Sequence, residues 1–179
     1  WRGKRVTIFG MGAFAVEAMR TALQRGAAHA TFLCRQRGTV CPQLVDWLNF
    51  IRPRNDELKH PVAGDNVILG KWQSMYDESK ATRPDCWSRG AMKPDGHTVS
   101  VSDLFFVAHH YRAAATTLGE VDCLEPEGVR NTADGALIKT DLIVKCVGFE
   151  YNTRIEALIG RSRMRGVGHV DDRCWVVVE

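Results

Sequence analysis

The feature that most constrains this chain is Gly10-Met11-Gly12-Ala13-Phe14-Ala15, which follows directly on the apolar run Arg5-Val6-Thr7-Ile8-Phe9. β-Branched and aromatic residues make that run a strand. The glycines interrupt it, and Ala15, Ala18 or Met19, Ala22 and Leu23 then share one face at helical spacing, with Gly26 where a helix ends on glycine. A second apolar run, Ala30-Thr31-Phe32-Leu33-Cys34, reads as the next strand. Strand, helix and strand in this order predict a right-handed βαβ unit with parallel strands, and with it an α/β fold.

The glycine spacing has a chemical meaning. In a GxGxxA pattern after a strand, Gly10 permits the tight turn, Gly12 lets a pyrophosphate approach the backbone, and small Ala15 allows the helix to pack closely. Ala13 and Phe14 open the helix, whose N–H groups and positive dipole end face the phosphates. A Rossmann-like, dinucleotide-binding unit is the expectation. The end of the second strand selects the dinucleotide. NAD sites carry a carboxylate there for the ribose hydroxyls, whereas this chain reads Cys34-Arg35-Gln36-Arg37. Arg35 and Arg37 suit an adenosine 2′-phosphate through charge-assisted bonds, so NADP(H) is expected rather than NAD.

Further along, Pro42 with Leu44, Val45, Leu48 and Ile51 behind it predicts a short amphipathic helix halted by Pro53. From Pro53 to His97 there is little periodicity, and a long irregular insertion is expected. Ser102 is a helix cap before Leu104, Phe105, Ala108, Arg112 and Ala115. Glu120–Leu124, Gly128–Arg130 and Ala136–Ile138, with a tight turn at Asp134-Gly135, read as a small antiparallel β-meander. Asp141–Val147 follows as a buried parallel strand ending in Gly148. The tail holds a short helix near Ile155 to Ile159 and the apolar run Trp175–Val178.

Gly10-x-Gly12-x-x-Ala15-x-Glu17 with a basic second-strand end resembles the NADPH-binding insert of FAD-dependent pyridine nucleotide oxidoreductases. Asp141 to Phe149 is similar to the strand by which flavin monooxygenases return from that insert to their FAD domain. In the family the strand closes on an Ala-Thr-Gly-like triplet. Here Cys146-Val147-Gly148 keeps only the glycine, with Phe149 and Asn152 beyond. The resemblance implies residues 1–148 as the NADP-binding domain, with the irregular insertion at about 53–97, and 149–179 as the return to a FAD domain. It implies that Gly10, Gly12, Ala13, Phe14 and Ala15 hold pyrophosphate, that Arg35 and Arg37 hold the 2′-phosphate, and that Gly148 also lies at the cofactor. The family's FAD pyrophosphate motif has no counterpart in the sequence, so the FAD-binding domain or subunit is expected upstream of Trp1 or in trans. No catalytic acid or base is assigned.

Disulfide reductases of the wider group need a Cys-x-x-Cys, which is absent from the sequence. That favours a monooxygenase-like oxidoreductase, in which NADPH reduces FAD and reduced FAD meets dioxygen. A non-catalytic Rossmann module in a larger assembly is the competing expectation, because fold does not fix function. Tyr76-x-x-x-Lys80 copies the pairing of short-chain dehydrogenases but sits in a stretch without helical period, and is read as a chance match. The neighbours His109 and His110 diverge on a helix, and no histidine has metal-ligand spacing. Trp47, Trp72 and Trp87 are read as core. The net charge of +3 arises without cationic runs, so no nucleic-acid partner is expected. The dispersed cysteines favour a reducing, intracellular compartment, and no apolar run is long enough for a membrane span.

Overall fold

The computed structural model describes residues 1–46, 66–90 and 99–148, together with the backbone of 169–170 and 176–177. The chain divides into two compact units, Trp1–Cys146 and Val147–Glu179.

The larger unit is built on a parallel sheet. β1 (Arg5–Phe9) pairs with β2 (His29–Cys34), Ile8 lying opposite Phe32, and α1 (Ala13–Gln24) crosses between them. α1 buries Ala15, Val16, Met19 and Ala22, and these join Val6, Ile8, Ala30 and Phe32 in one core. The expected βαβ unit is therefore present. Side chains as fully buried as Ile8 and Phe32 contribute roughly 1.5–3 kcal/mol each.

Past β2 the chain makes the short strand β3 (Val40–Cys41) and the helical turn α2 (Gln43–Asp46). Val45 of α2 is buried while Leu44 is exposed, and the expected contributions of Leu48 and Ile51 lie outside the described residues.

The stretch expected to be irregular contains the 14-residue helix α3 (Asn66–Ser79) and, after Pro84, a 3-10 helix over Asp85–Arg89. Trp72, Met75, Tyr76 and Ser79 of α3 stand at helical spacing and face inward. Their period is hard to read because the buried positions carry indole, phenol and hydroxyl groups instead of aliphatic side chains. Those polar atoms have partners that only the fold supplies. Trp72 Nε1 donates to the Val40 carbonyl at 2.8 Å. Tyr76 Oη donates to the same carbonyl at 3.0 Å and accepts from Val40 N–H at 2.9 Å. α3 is thereby fastened to β3, which pairs in parallel with β4 (Ser100–Val101).

Ser102 caps α4 (Asp103–His110) as expected, its hydroxyl accepting from Phe105 N–H. The helix stops at His110 and does not reach Ala115. Arg112 takes a positive φ of 57°, which turns the chain back, and Ala114–Leu118 forms β5 against β2. Helix-forming alanines here yield to a vacant sheet edge, where five residues find main-chain partners and Ala114 becomes core.

β6 (Val121–Glu125), β7 (Gly128–Asn131) and β8 (Leu137–Lys139) form the expected antiparallel meander. Asn131, fully buried, ties it to the sheet by donating to the Leu118 carbonyl and to Asp134. The chain then enters β9 (Leu142–Lys145), parallel to β1. That strand was expected to be buried. It lies at the edge of the four-stranded sheet, and Leu142 and Ile143 keep 37% and 39% of their surface exposed.

The sheet order is β5-β2-β1-β9. The fold is thus α/β, a Rossmann-like parallel sheet with crossover helices and an antiparallel meander. Its order reverses direction between β1 and β9, and in open α/β sheets ligands bind at the carboxyl ends of the strands at such a reversal. In the smaller unit, β10 (His169–Val170) pairs antiparallel with β11 (Val176–Val177), within the expected apolar run. The helix expected near Ile155 lies outside the described residues.

Candidate dinucleotide site

Gly10 leaves the carboxyl end of β1 with φ +99°, a conformation that side-chain-bearing residues rarely adopt, and donates its N–H to the Leu33 carbonyl of β2 at 2.8 Å. Gly12 caps α1 with extended backbone. A Cβ built on Gly12 meets nothing within 4 Å, so the space in front of the helix start is open. Gly12 O accepts from Ala15 and Val16 N–H, while Gly12 and Ala13 N–H head the helix, where main-chain donors are left for outside partners. The first turn of α1 holds no acidic residue. Glu17, one turn on, is paired with Arg20. This is a helix end fitted to an anion by geometry and by charge.

Ala15 is completely buried beneath the helix, as close helix–sheet packing requires. Ala13 and Phe14 are exposed.

Sequence reasoning missed Gly38. A Cβ on that residue would stand 2.1 Å from the Met11 carbonyl. The loop leaving β2 therefore passes close against the glycine turn, where the backbones leave no room for a side chain at Gly38. The signal was present in Gly38, but its partner is remote in sequence.

Arg35 and Arg37 both lie at the carboxyl end of β2, as expected, in different company. Arg35 extends into solvent, 80% exposed, with Glu120 3.5 Å from its Nε. Arg37 is half-buried and held by Asp85 of the 3-10 helix. One carboxylate oxygen accepts from Arg37 main-chain N–H at 2.8 Å, and the other lies 3.0 Å from Nη1. The same 3-10 helix places Cys86 Sγ 3.4 Å from Thr39 Oγ1. Burial first, and the Asp85 carboxylate second, push the Cys34 thiol up to about 11. Asp85 is the second residue that sequence reading passed over.

No protein-family model matches the sequence, and no curated protein matches it. Solved structures do. Over 86% of this chain, the oxidized steroid monooxygenase bound to NADP superposes with a TM-score of 0.54 at 14% identity. OTEMO with FAD bound superposes over 85% with a TM-score of 0.52, also at 14% identity. Its complex with FAD and NADP gives 0.51 over 85% at 15% identity. The fold is one found in flavin monooxygenases. At such identities the likeness is one of fold, and the chain spans 39–40% of the length of these flavin monooxygenase structures.

Within this fold the remaining candidates separate cleanly. Cys146 N–H donates to the Phe9 carbonyl, bringing the end of β9 beside the start of the glycine turn. Gly148 belongs to the smaller unit and has φ +96°. Tyr76 is on a helix, not in a loop as expected, yet the chance-match reading of Tyr76 and Lys80 stands on firmer ground. Tyr76 is fully buried, spent on Val40, and its hydroxyl is pushed well above its ordinary value by burial.

His109 and His110 diverge. His109 is buried between the Phe105 carbonyl and Thr116 Oγ1, and burial lowers its pKa. His110 is exposed and reaches the Glu78 carbonyl. Trp72 and Trp87 meet edge to face at 5.2 Å, in core packing, while Trp47 lies outside the described residues. Cys34, Cys41, Cys86, Cys123 and Cys146 are free thiols, and burial pushes Cys41 up to about 12. Among the described residues no cluster of metal-ligating side chains occurs, and no helix is long and apolar enough to cross a membrane.

Proposed function

We propose that this chain is the NADPH-binding part of a flavin-dependent, monooxygenase-like oxidoreductase. The observation that carries the reading is the Gly10–Gly12 turn at the sheet's reversal point, with open space before α1 and no carboxylate in the first helical turn. Gly12 and Ala13 N–H would bind the pyrophosphate, and Arg35 and Arg37 would bind the 2′-phosphate. Gly148 is added to the cofactor-binding set on the family resemblance alone. When bound, NADPH supplies a hydride and FAD supplies the reaction with dioxygen. This chain's own share of that work is to bind and orient the nucleotide.

FAD itself would be held by a domain or subunit beyond these residues. The likeness to a steroid monooxygenase bound to NADP, and to OTEMO bound to FAD and NADP, supports both cofactors.

The test is equilibrium titration of the purified protein with NADPH and NADH, followed by nicotinamide fluorescence. Saturable NADPH binding that weakens in Arg35→Met is the expected result. Failure of both nucleotides to bind overturns the reading.

A further inference from the structure

Resting on that reading, we propose that Asp85 sets how strongly this site discriminates the adenosine 2′-phosphate. The residue comes from the 3-10 helix of the long insertion, far from the glycine motif in sequence. It grips Arg37 by main chain and side chain at once.

Each arginine at the carboxyl end of β2 has an acidic partner, Glu120 for Arg35 and Asp85 for Arg37. The partnerships differ in kind. Arg35 and Glu120 are 80% and 61% exposed and 3.5 Å apart, an ion pair that water and salt largely dissolve. Arg37 and Asp85 are 25% and 33% exposed, 3.0 Å apart, and fixed by the additional main-chain bond at 2.8 Å. Asp85 therefore stands fixed beside Arg37 at the carboxyl end of β2, where on that reading the ribose is recognised.

Burial first and the Asp85 carboxylate second push the thiol of Cys34, the last residue of β2, up to about 11, with Arg37 opposing them. A carboxylate there repels a phosphate dianion and is indifferent, or a hydrogen-bond acceptor, toward a free ribose hydroxyl. Arg37 still has guanidinium N–H groups beyond the single Nη1 contact. The phosphate is thus admitted but opposed, and the chain discriminates between NADPH and NADH less than its two arginines alone would dictate. The insertion acts as a specificity element: one residue of it adjusts a site built by the βαβ unit.

Asp85→Asn removes the charge and keeps an acceptor oxygen for Arg37 N–H. The expected result is an NADPH dissociation constant lowered about five- to tenfold, the scale of one unit charge acting through water on a nearby dianion. NADH binding should change less than about twofold, and the gain should shrink in high salt. Asp85→Glu, which keeps the charge, should leave the ratio of the two affinities near that of the unaltered protein. A melting curve of each variant reports whether the loop is intact.

If Asp85→Asn leaves the ratio unchanged, lowers it, or tightens both nucleotides equally, the inference is wrong. It is equally wrong if Asp85→Glu shifts the ratio as far as Asn does. Failure of the unaltered protein to bind either nucleotide is a different result and overturns the cofactor reading itself.

Discussion

Gly12→Ala separates binding from folding. Gly12 has φ −91° and ψ −173°, which alanine adopts without strain, and its Cβ would meet nothing within 4 Å. The folded chain has room for the methyl group. As a helix cap, alanine is poorer than glycine by up to about 1 kcal/mol. The loss is offset by about 0.4–1 kcal/mol from the stiffer unfolded chain. Net stability should stay within about 0.5 kcal/mol of the parent, a shift in Tm of about 2 °C or less.

Binding should respond differently. The open space in front of Gly12 is where the pyrophosphate must approach the helix start, and a methyl group holds it off the main-chain donors. Losing one charge-assisted hydrogen bond costs about 1.5–3 kcal/mol. The NADPH dissociation constant should therefore rise about 10- to 150-fold. The assay is parallel: thermal melting for the fold and nicotinamide fluorescence titration for the nucleotide. Unchanged affinity in a variant of unchanged Tm refutes the placement of the pyrophosphate. A large fall in Tm refutes the claim that the space is open.

Gly38→Ala should do the reverse, because its Cβ would stand 2.1 Å from the Met11 carbonyl and backbone must move; a loss of about 2–4 kcal/mol by denaturant melting is expected. Tyr76→Phe leaves buried Val40 N–H without its acceptor, and should cost about 1–3 kcal/mol with a visible fall in Tm. Asp141 is held down to about 2 by the side-chain bond from Arg5, then by Arg5 main-chain N–H. Its folded value lies below its unfolded one, so its contribution is complete above pH about 4 and disappears as pH falls toward the folded value. The Tm difference between the parent and Asp141→Asn should hold constant at neutral pH and close on acidification; a difference independent of pH down to about 2 refutes the pairing.

Local chemistry determined much of this protein. The run Arg5–Phe9, the glycine turn, the one-sided helix and the second apolar run each state their structure within a few residues, and together they specify the βαβ unit and its anion-ready helix start. The meander was legible for the same reason, since its turn at Asp134-Gly135 and its strands are neighbours in sequence. Ser102 declares its helix through a cap that reaches only three residues.

Tertiary structure decided everything that depends on remote partners. Ala114–Leu118 became a strand because β2 offered an edge, against the helical tendency of its alanines. α3 declared itself only once Val40 was there to receive the indole and phenol of Trp72 and Tyr76. Gly38 acquired its meaning from Met11, and Asp85 from Arg37. The physical reason is common to all four. A hydrogen bond or a steric limit belongs to two groups, and a sequence displays the pair only when the chain between them is short.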